Sequence, residues 1–426
     1  MFTTCHGSPC SVFFGSVRAS RSRHRPSSGA SQPDCGNRRR SCRNRDGGRR
    51  RVVLLRSIRH TCPAPDRPAI ACIGRYTQVF SVSHQAPVQR KTTMAREVPA
   101  VFGSVLFEEM PVIAYENGAW QPVRWQSSKS VELSPGAHSL HYGSECFEGL
   151  KAFRQKGDRI VLFRPEANIA RMQQSARLLS ISVPEADSFM QALIDLTARA
   201  AEVIPDAPAA LYLRPTLIGT DPVIGKAGKP SDTALFFILA SPVGDYFKVG
   251  SPMKLLVETR AMRCAPHMGR IKCGGNYASA LPLISRAARE YGAHQVLFCP
   301  NGDVQETGAS NFALINGDEI ITKPLTDEFL HGVTRDSVLK LGSALGYKVS
   351  ERDFTVAELK DAIENGAEAI LTGTAAVISP VTSFVIDGEE IPVRSQERGN
   401  AIRKAITDIQ YGLAEDRFGW LVPVED

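Results

Sequence analysis

Charge is segregated along this 426-residue chain, and that limits where a fold can form. Residues 1–93 hold 18 Lys and Arg against 3 Asp and Glu, a net of +15, whereas residues 94–426 hold 33 against 41, a net of −8. The leading segment is rich in Arg and Ser, with runs at Arg38–Arg40 and Arg49–Arg51, and has neither a period of 2 nor of 3.6. Such a chain repels itself and lacks the apolar surface to offset its ordering entropy, so a disordered leader is expected. It reads as an over-called start with Met94 as the true first residue, as an Arg- and Ser-rich organelle transit peptide, or as a basic arm for nucleic acid or anionic membrane. Met94 stands just before the first patterned stretch, which favours the first reading. Any role in nucleic-acid binding rests on this leader alone, and none is expected of the folded part, which is mildly acidic.

The fold therefore belongs to residues 94–426. No stretch approaches the roughly 20 uninterrupted apolar residues of a membrane-spanning helix, so no membrane partner is expected. Six of the 10 cysteines lie in the leader, leaving Cys146, Cys264, Cys273 and Cys299. No C-x-x-C pair exists, so neither a zinc site nor a dithiol motif is supported, no metal is expected, and four scattered thiols suit a reducing compartment.

Strand-like and helix-like stretches alternate, which predicts a mixed α/β or α+β fold. Runs rich in β-branched and aromatic residues predict strands at 210–214, 234–240, 253–259, 295–299, 319–322 and 368–372. Pro165 opens a helix over 165–181 with Ile169, Met172, Ala176 and Leu179 on one face. A second helix, 188–204, aligns Phe189, Leu193, Leu196 and Ala200. A helix from about 334 stops at Gly346, Thr355 with Glu358 forms a capping box, and a last helix covers 397–413. The segment 242–250, bracketed by Pro and Gly, reads as a hinge between a small domain, 94–241, and a larger one, 251–426.

Several motifs carry no chemistry. Gly219–Lys226 imitates a phosphate loop but has five residues between its glycines and Ala227 where Ser or Thr should follow. His138 and His141 flank a turn and read as structural. The informative run is Arg270-Ile271-Lys272-Cys273-Gly274-Gly275-Asn276-Tyr277, followed by a helical stretch with Ala278, Leu281, Ile284 and Ala288. Glycines let backbone pass close to a bulky ligand, and a lysine at a largely apolar site loses proton affinity and becomes nucleophilic. His331-Gly332-Val333-Thr334 leads into a helix whose first amides suit an anion. Thr372-Gly373-Thr374-Ala375-Ala376 ends a strand with a second such turn, and Glu306 lies between strand runs. A reactive lysine, an acid and two phosphate-binding turns match the needs of pyridoxal phosphate.

Taken in order, Leu140-His141-Tyr142-Gly143, Phe147-Glu148-Gly149, Lys272 with Gly274–Tyr277, Glu306–Asn311, Gly332–Arg335 and Gly373–Ala376 closely resemble the branched-chain amino acid aminotransferases. These are fold-type IV pyridoxal-phosphate enzymes, and the resemblance runs from about residue 98 to residue 423. It implies a small α/β domain, a larger domain with a β-barrel-like core, and a homodimer whose pocket is partly closed by the neighbour's small domain. Lys272 would be the Schiff-base lysine and the proton carrier, Glu306 the partner of the pyridine nitrogen, and Tyr277 that of the ring oxygen. Arg171, Val333, Thr334 and Thr374 would hold the phosphate. Tyr212 and the amides at Thr374 and Ala375 would receive the substrate's α-carboxylate, and Arg214 the second carboxylate of glutamate. Tyr142, Phe147, Ile224 and Tyr246 would form an apolar chamber.

Three positions depart from the family pattern. Lys226 lies in the chamber-lining loop where animal relatives carry an apolar residue. Val377-Ile378-Ser379 replaces their redox cysteine pair, and Asn311-Phe312-Ala313 lacks a common aromatic. The implied activity is ping-pong transamination of L-leucine, L-isoleucine and L-valine against 2-oxoglutarate. A D-amino acid aminotransferase or an aminodeoxychorismate lyase of the same fold is the alternative, and a nucleic-acid-binding protein the remote one. The cytoplasm is the expected compartment, or a mitochondrion or plastid if the leader is a transit peptide.

Overall fold

The computed structural model describes residues 96–245 and 252–424. The expectations for residues 1–93 and for Tyr246 fall outside them. Residues 234–243 alternate inward Ala234, Phe236, Ile238 and Ala240 with half-buried neighbours, so the strand Ala234–Val243 has one face to cover. It pairs antiparallel with Ala210–Gly219 over ten residues, from Ala210 opposite Val243 to Gly219 opposite Ala234. Around this pair a nine-stranded sheet is ordered Leu421–Val424, Ile160–Phe163, Leu150–Arg154, Ala210–Gly219, Ala234–Val243, Glu109–Glu116 and Ala119–Trp120. Arg124–Ser127 and Glu145–Phe147 add at its sides.

The helices Pro165–Leu178 and Ala186–Arg199 bury the faces read from their periodicity. Met172, Ala176, Phe189, Leu193 and Leu196 pack with Leu211, Leu213, Phe236 and Ile238. Phe189 meets Phe236 edge to face, with ring centroids 4.6 Å apart.

Among the described residues two further sheets follow. Gln295–Phe298, Lys254–Glu258 and Ser383–Ile386 run parallel, with Glu389–Pro392 antiparallel at the edge. The helix Gly274–Tyr291 makes the crossover between the first two, as a parallel pair requires. The other sheet is ordered Lys348–Glu351, Glu319–Thr322, Asn311–Asn316, Glu368–Gly373 and Val377–Pro380. Leu255, Leu297, Phe312, Phe354, Leu371 and Phe384, drawn from both sheets and the turns between them, share one core. The mixed α/β class is as expected.

Two sequence readings need correction. The crossover helix does not bury the stripe of Ala278, Leu281, Ile284 and Ala288; Leu281 is 58% exposed. Ala280, Ala287 and, partly, Leu283 and Ile284 face Leu256, Val296 and Phe298, because small side chains let the helix lie close on its strands. The strands Leu150–Arg154 and Ile160–Phe163 went unread because every residue in them is buried, leaving no alternation to detect. Leu421–Val424 returns to the edge of the first sheet, opposite Ile160–Phe163, a long-range pairing that local pattern does not announce.

Thr355 caps the helix Val356–Glu364 as its spacing indicated, its side chain accepting from the Glu358 amide at 3.2 Å. Thr355→Ala should therefore cost about 1 kcal/mol of stability, read as a lower urea midpoint with an unchanged slope.

Candidate active site

Lys272 lies in the short irregular run before the helix Gly274–Tyr291, and its backbone is gripped from both sides. Its amide donates to Ser175 Oγ at 3.1 Å, and its carbonyl accepts from the Phe147 amide at 3.0 Å. The side chain is thereby held in a cavity of about 540 Å³, where Nζ donates to the Tyr277 hydroxyl at 2.8 Å. Burial pushes the Tyr277 phenol up, but the ammonium beside it outweighs that and holds it below the ordinary value.

Across the cavity, Arg171 and the wholly buried Glu148 form a two-bond pair, Nε to Oε1 at 2.7 Å and Nη2 to Oε2 at 2.8 Å. Asn168 Nδ2 adds a third bond to the same carboxylate at 2.8 Å. Burial alone would raise the Glu148 carboxyl; Arg171, helped by Lys272, holds it below the usual carboxylate range. Arg171 Nη1 reaches the His331 carbonyl at 3.0 Å, and so touches the turn that starts the helix Val333–Ala344.

Two glycines are required by space. A Cβ on Gly149 would overlap the Tyr212 hydroxyl, and one on Gly332 would overlap Asn311 Oδ1. Gly332 leaves the first amides of its helix facing the same cavity that Thr334 and Thr374 line. Thr374 Oγ1 donates to the Gly149 carbonyl at 2.9 Å.

Glu306 is buried at the cavity wall. It pairs with Arg263 Nε at 2.6 Å and accepts from the Leu330 amide and Asn311 Nδ2, both at 3.1 Å. Burial pushes its carboxyl up to about 7 against the pull of Arg263. Three buried donors on residues lining this cavity, Arg214 Nε, Thr372 Oγ1 and Ser379 Oγ, have no hydrogen-bond partner among the described residues. An amine, a phenol, a buried acid, a helix start and unspent donors share one enclosed space, and this donor set fits an aldehyde-bearing, phosphorylated ring.

Residues 145–384 match the family model for the amino-transferases of class IV. The chain belongs to that family. Branched-chain-amino-acid aminotransferase 2 of Bacillus subtilis is 38% identical to this aminotransferase over 336 residues, covering 76% of this chain and 92% of the relative. Among solved structures, the branched-chain aminotransferase of Thermoproteus uzoniensis with norvaline superposes with a TM-score of 0.62 at 26% identity, covering 74% of this chain and all of that one. The T.th. branched-chain amino acid aminotransferase with pyridoxamine 5'-phosphate does so at 0.61 and 26%, covering 74% and 98%.

Most residues singled out in the sequence of this aminotransferase line the one cavity: Phe147, Arg171, Tyr212, Arg214, Lys272, Tyr277, Glu306, Val333, Thr334, Thr374 and Ala375. Tyr212 and Arg214 share a strand face as their spacing required, Arg214 Nη2 donating to the Tyr212 hydroxyl at 2.9 Å. Tyr142 and Ile224 do not join them. They are 37% and 64% exposed, and the Tyr142 hydroxyl is spent on the Ile224 carbonyl. Lys226 turns its ammonium to Asp221 and to Asp232, the latter at 2.5 Å, and adds no charge to the cavity. His138 is structural, bonded to Ser144 Oγ at 2.8 Å and the Lys229 carbonyl at 3.1 Å.

Four contributors carried no assigned role. Glu148 and Asn311 stand inside quoted motifs, so a search for the partners of the buried charges Arg171 and Glu306 would have reached them. Phe102, whose ring meets Tyr212 edge to face at 5.0 Å, and Arg263 lie in irregular segments without periodicity to mark them. Removing one member of a buried ion pair strands the other. Glu148→Ala should therefore destabilise the cofactor-free protein by about 3–5 kcal/mol in urea unfolding.

Proposed function

We propose that this chain moves the amino group of L-leucine, L-isoleucine or L-valine to 2-oxoglutarate, yielding L-glutamate and the branched 2-oxo acid. The observation that carries the reading is one cavity holding a lysine amine, a buried acid and a paired Tyr212–Arg214 beside aromatic walls. Pyridoxal 5'-phosphate, when bound, supplies an aldehyde for amines and a ring that withdraws the electron pair freed when the substrate's Cα–H bond breaks.

The chain's own residues divide the remaining work. Lys272 would hold the cofactor through its aldehyde carbon, and its free amine would carry a proton between the substrate Cα and the cofactor's C4′. Tyr277, drawn below its ordinary pKa by Lys272, faces the ring oxygen. Glu306, its carboxyl pushed up to about 7 by burial against the pull of Arg263, would hold a proton at the ring nitrogen. Arg171, Val333, Thr334 and Thr374 hold the phosphate. Tyr212 and the amides of Thr374 and Ala375 receive the α-carboxylate, while Phe147 and Phe102 exclude water from the side-chain end.

Arg214 lies over the Phe147 ring at 4.8 Å, where a guanidinium tolerates an apolar neighbour and still meets a second carboxylate. Thus one chamber admits leucine and glutamate. Tyr142 and Ile224 are turned outward, which suits a homodimer in which each protomer completes its partner's chamber. The cytoplasm is our assignment for the compartment, supported by the four cysteines among the described residues being buried free thiols.

Purified protein given L-leucine and 2-oxoglutarate should form glutamate, and borohydride followed by peptide mapping should place the reduced cofactor on Lys272. Activity confined to D-alanine or aminodeoxychorismate would favour the sister activities of the fold instead. Lys272→Ala should abolish turnover while the protein stays folded by circular dichroism. Arg214→Gln should raise KM for glutamate about 10- to 100-fold, from loss of one charged hydrogen bond, and leave that for leucine within a few-fold.

A further inference from the structure

Lys151 is a buried cation that the proposed chemistry does not use. It lies on the strand Leu150–Arg154, directly opposite Tyr212 in register and so on the same sheet face. Its side chain is 7% exposed, and Nζ donates to the Ala375 carbonyl at 2.7 Å. Nearby, Asp245 makes a two-oxygen pair with Arg403, both contacts at 2.6 Å. Burial pulls the lysine down to about 8, and Asp245 works against that pull. A buried ammonium is costly where a neutral donor would serve the same carbonyl, so its charge calls for a reason.

The acceptor supplies one. Ala375 lies in the loop 374–376 of a hairpin whose last pair is Gly373 and Val377. Val377, a β-branched residue, is held at φ +61°, a region such residues avoid unless neighbours impose it. Two bonds hold the loop just before it: Lys151 donates to the Ala375 carbonyl, and Thr374 Oγ1 to the carbonyl of Gly149. Among the described residues, no backbone acceptor consumes the amides of Thr374, Ala375 or Ala376. The Ala375 carbonyl and the Ala376 N–H are opposite ends of one planar trans peptide. With the carbonyl fixed on Lys151, that N–H points the other way, and Ala376 lines the cavity.

We propose that Lys151 is a positioning residue for the substrate carboxylate, aiming and polarising the Ala375–Ala376 peptide so that the Ala376 amide donates to it. The inference rests on the transaminase reading. An ammonium on the carbonyl makes the far N–H a stronger donor, and the carboxylate on the other side balances the buried charge.

The test uses holoenzyme of wild type, Lys151→Met and Lys151→Arg. Binding of 4-methylpentanoic acid, which keeps leucine's carboxylate but lacks its amine, is titrated by the cofactor's absorbance. Single-turnover rates are measured with leucine and with 3-methylbutylamine, which lacks the carboxylate. Lys151→Met should weaken the acid and raise the half-saturating leucine concentration at least about tenfold, the loss of one charge-assisted bond. The rate with 3-methylbutylamine and the unbound absorbance band should stay within twofold of wild type, and Lys151→Arg should recover acid binding. Parallel losses with leucine and with the amine would overturn the inference, as would acid binding left unchanged by Lys151→Met. Wild-type enzyme inert toward leucine would sink the transaminase reading and this inference with it; active wild type beside an unaltered Lys151→Met sinks the inference alone.

Discussion

The buried pair of Glu148 and Arg171 is the constraint on which the site depends. Its carboxylate comes from the turn between two strands of the first sheet, and its guanidinium from the helix Pro165–Leu178. The guanidinium also reaches the His331 carbonyl, and Thr374 bonds back to Gly149, so the pair ties three separate chain segments to one rim. The Glu148 charge cannot relax into water, because its side chain is wholly buried, and Arg171 is nearly so. Ser175 of the same helix holds the Lys272 backbone, so the reactive amine is referenced to the same scaffold.

The cavity is electrically unlike the rest of the folded chain. Residues 94–426 carry a net of −8, yet four cations, Arg171, Arg214, Arg263 and Lys272, line the cavity against two carboxylates, Glu306 in its wall and Glu148 paired with Arg171. In a confined, poorly hydrated space such a surplus favours anions strongly and discriminates little among them. Selectivity must then come from where the donors point. Donors stand at three places in the cavity wall: the start of the helix Val333–Ala344, the 374–376 turn, and Arg214 over the Phe147 ring. Fixed turns hold these directions, and the left-handed Val377 marks the one that is most constrained.

Several residues that line the cavity were readable because their spacing is local. Lys272 and Tyr277 lie five apart across a helix start, Tyr212 and Arg214 two apart on a strand, and Val333 and Thr334 in a first turn. Their supports were not readable in the same way. Glu148 meets Arg171 across 23 residues, Lys151 meets Ala375 across 224, and the strand Leu421–Val424 meets Ile160–Phe163 across more than 250. No periodicity links such partners. The helix after Lys272 shows the limit even of local pattern, since it packs Ala280 and Ala287 with Leu256, Val296 and Phe298 and leaves Leu281 exposed.

By itself, the sequence determined the α/β class, the buried faces of the helices Pro165–Leu178 and Ala186–Arg199, and the cap at Thr355. Each depends on residues within a turn or two of one another, where backbone geometry converts spacing directly into direction. Only the tertiary structure decided that Arg171 is neutralised by Glu148, that Tyr142 and Ile224 face outward, that Lys226 is occupied by acids, and that Lys151 stands behind the 374–376 turn. Those outcomes follow from which buried charges find partners, and burial is a property of the whole packed chain rather than of any window along it.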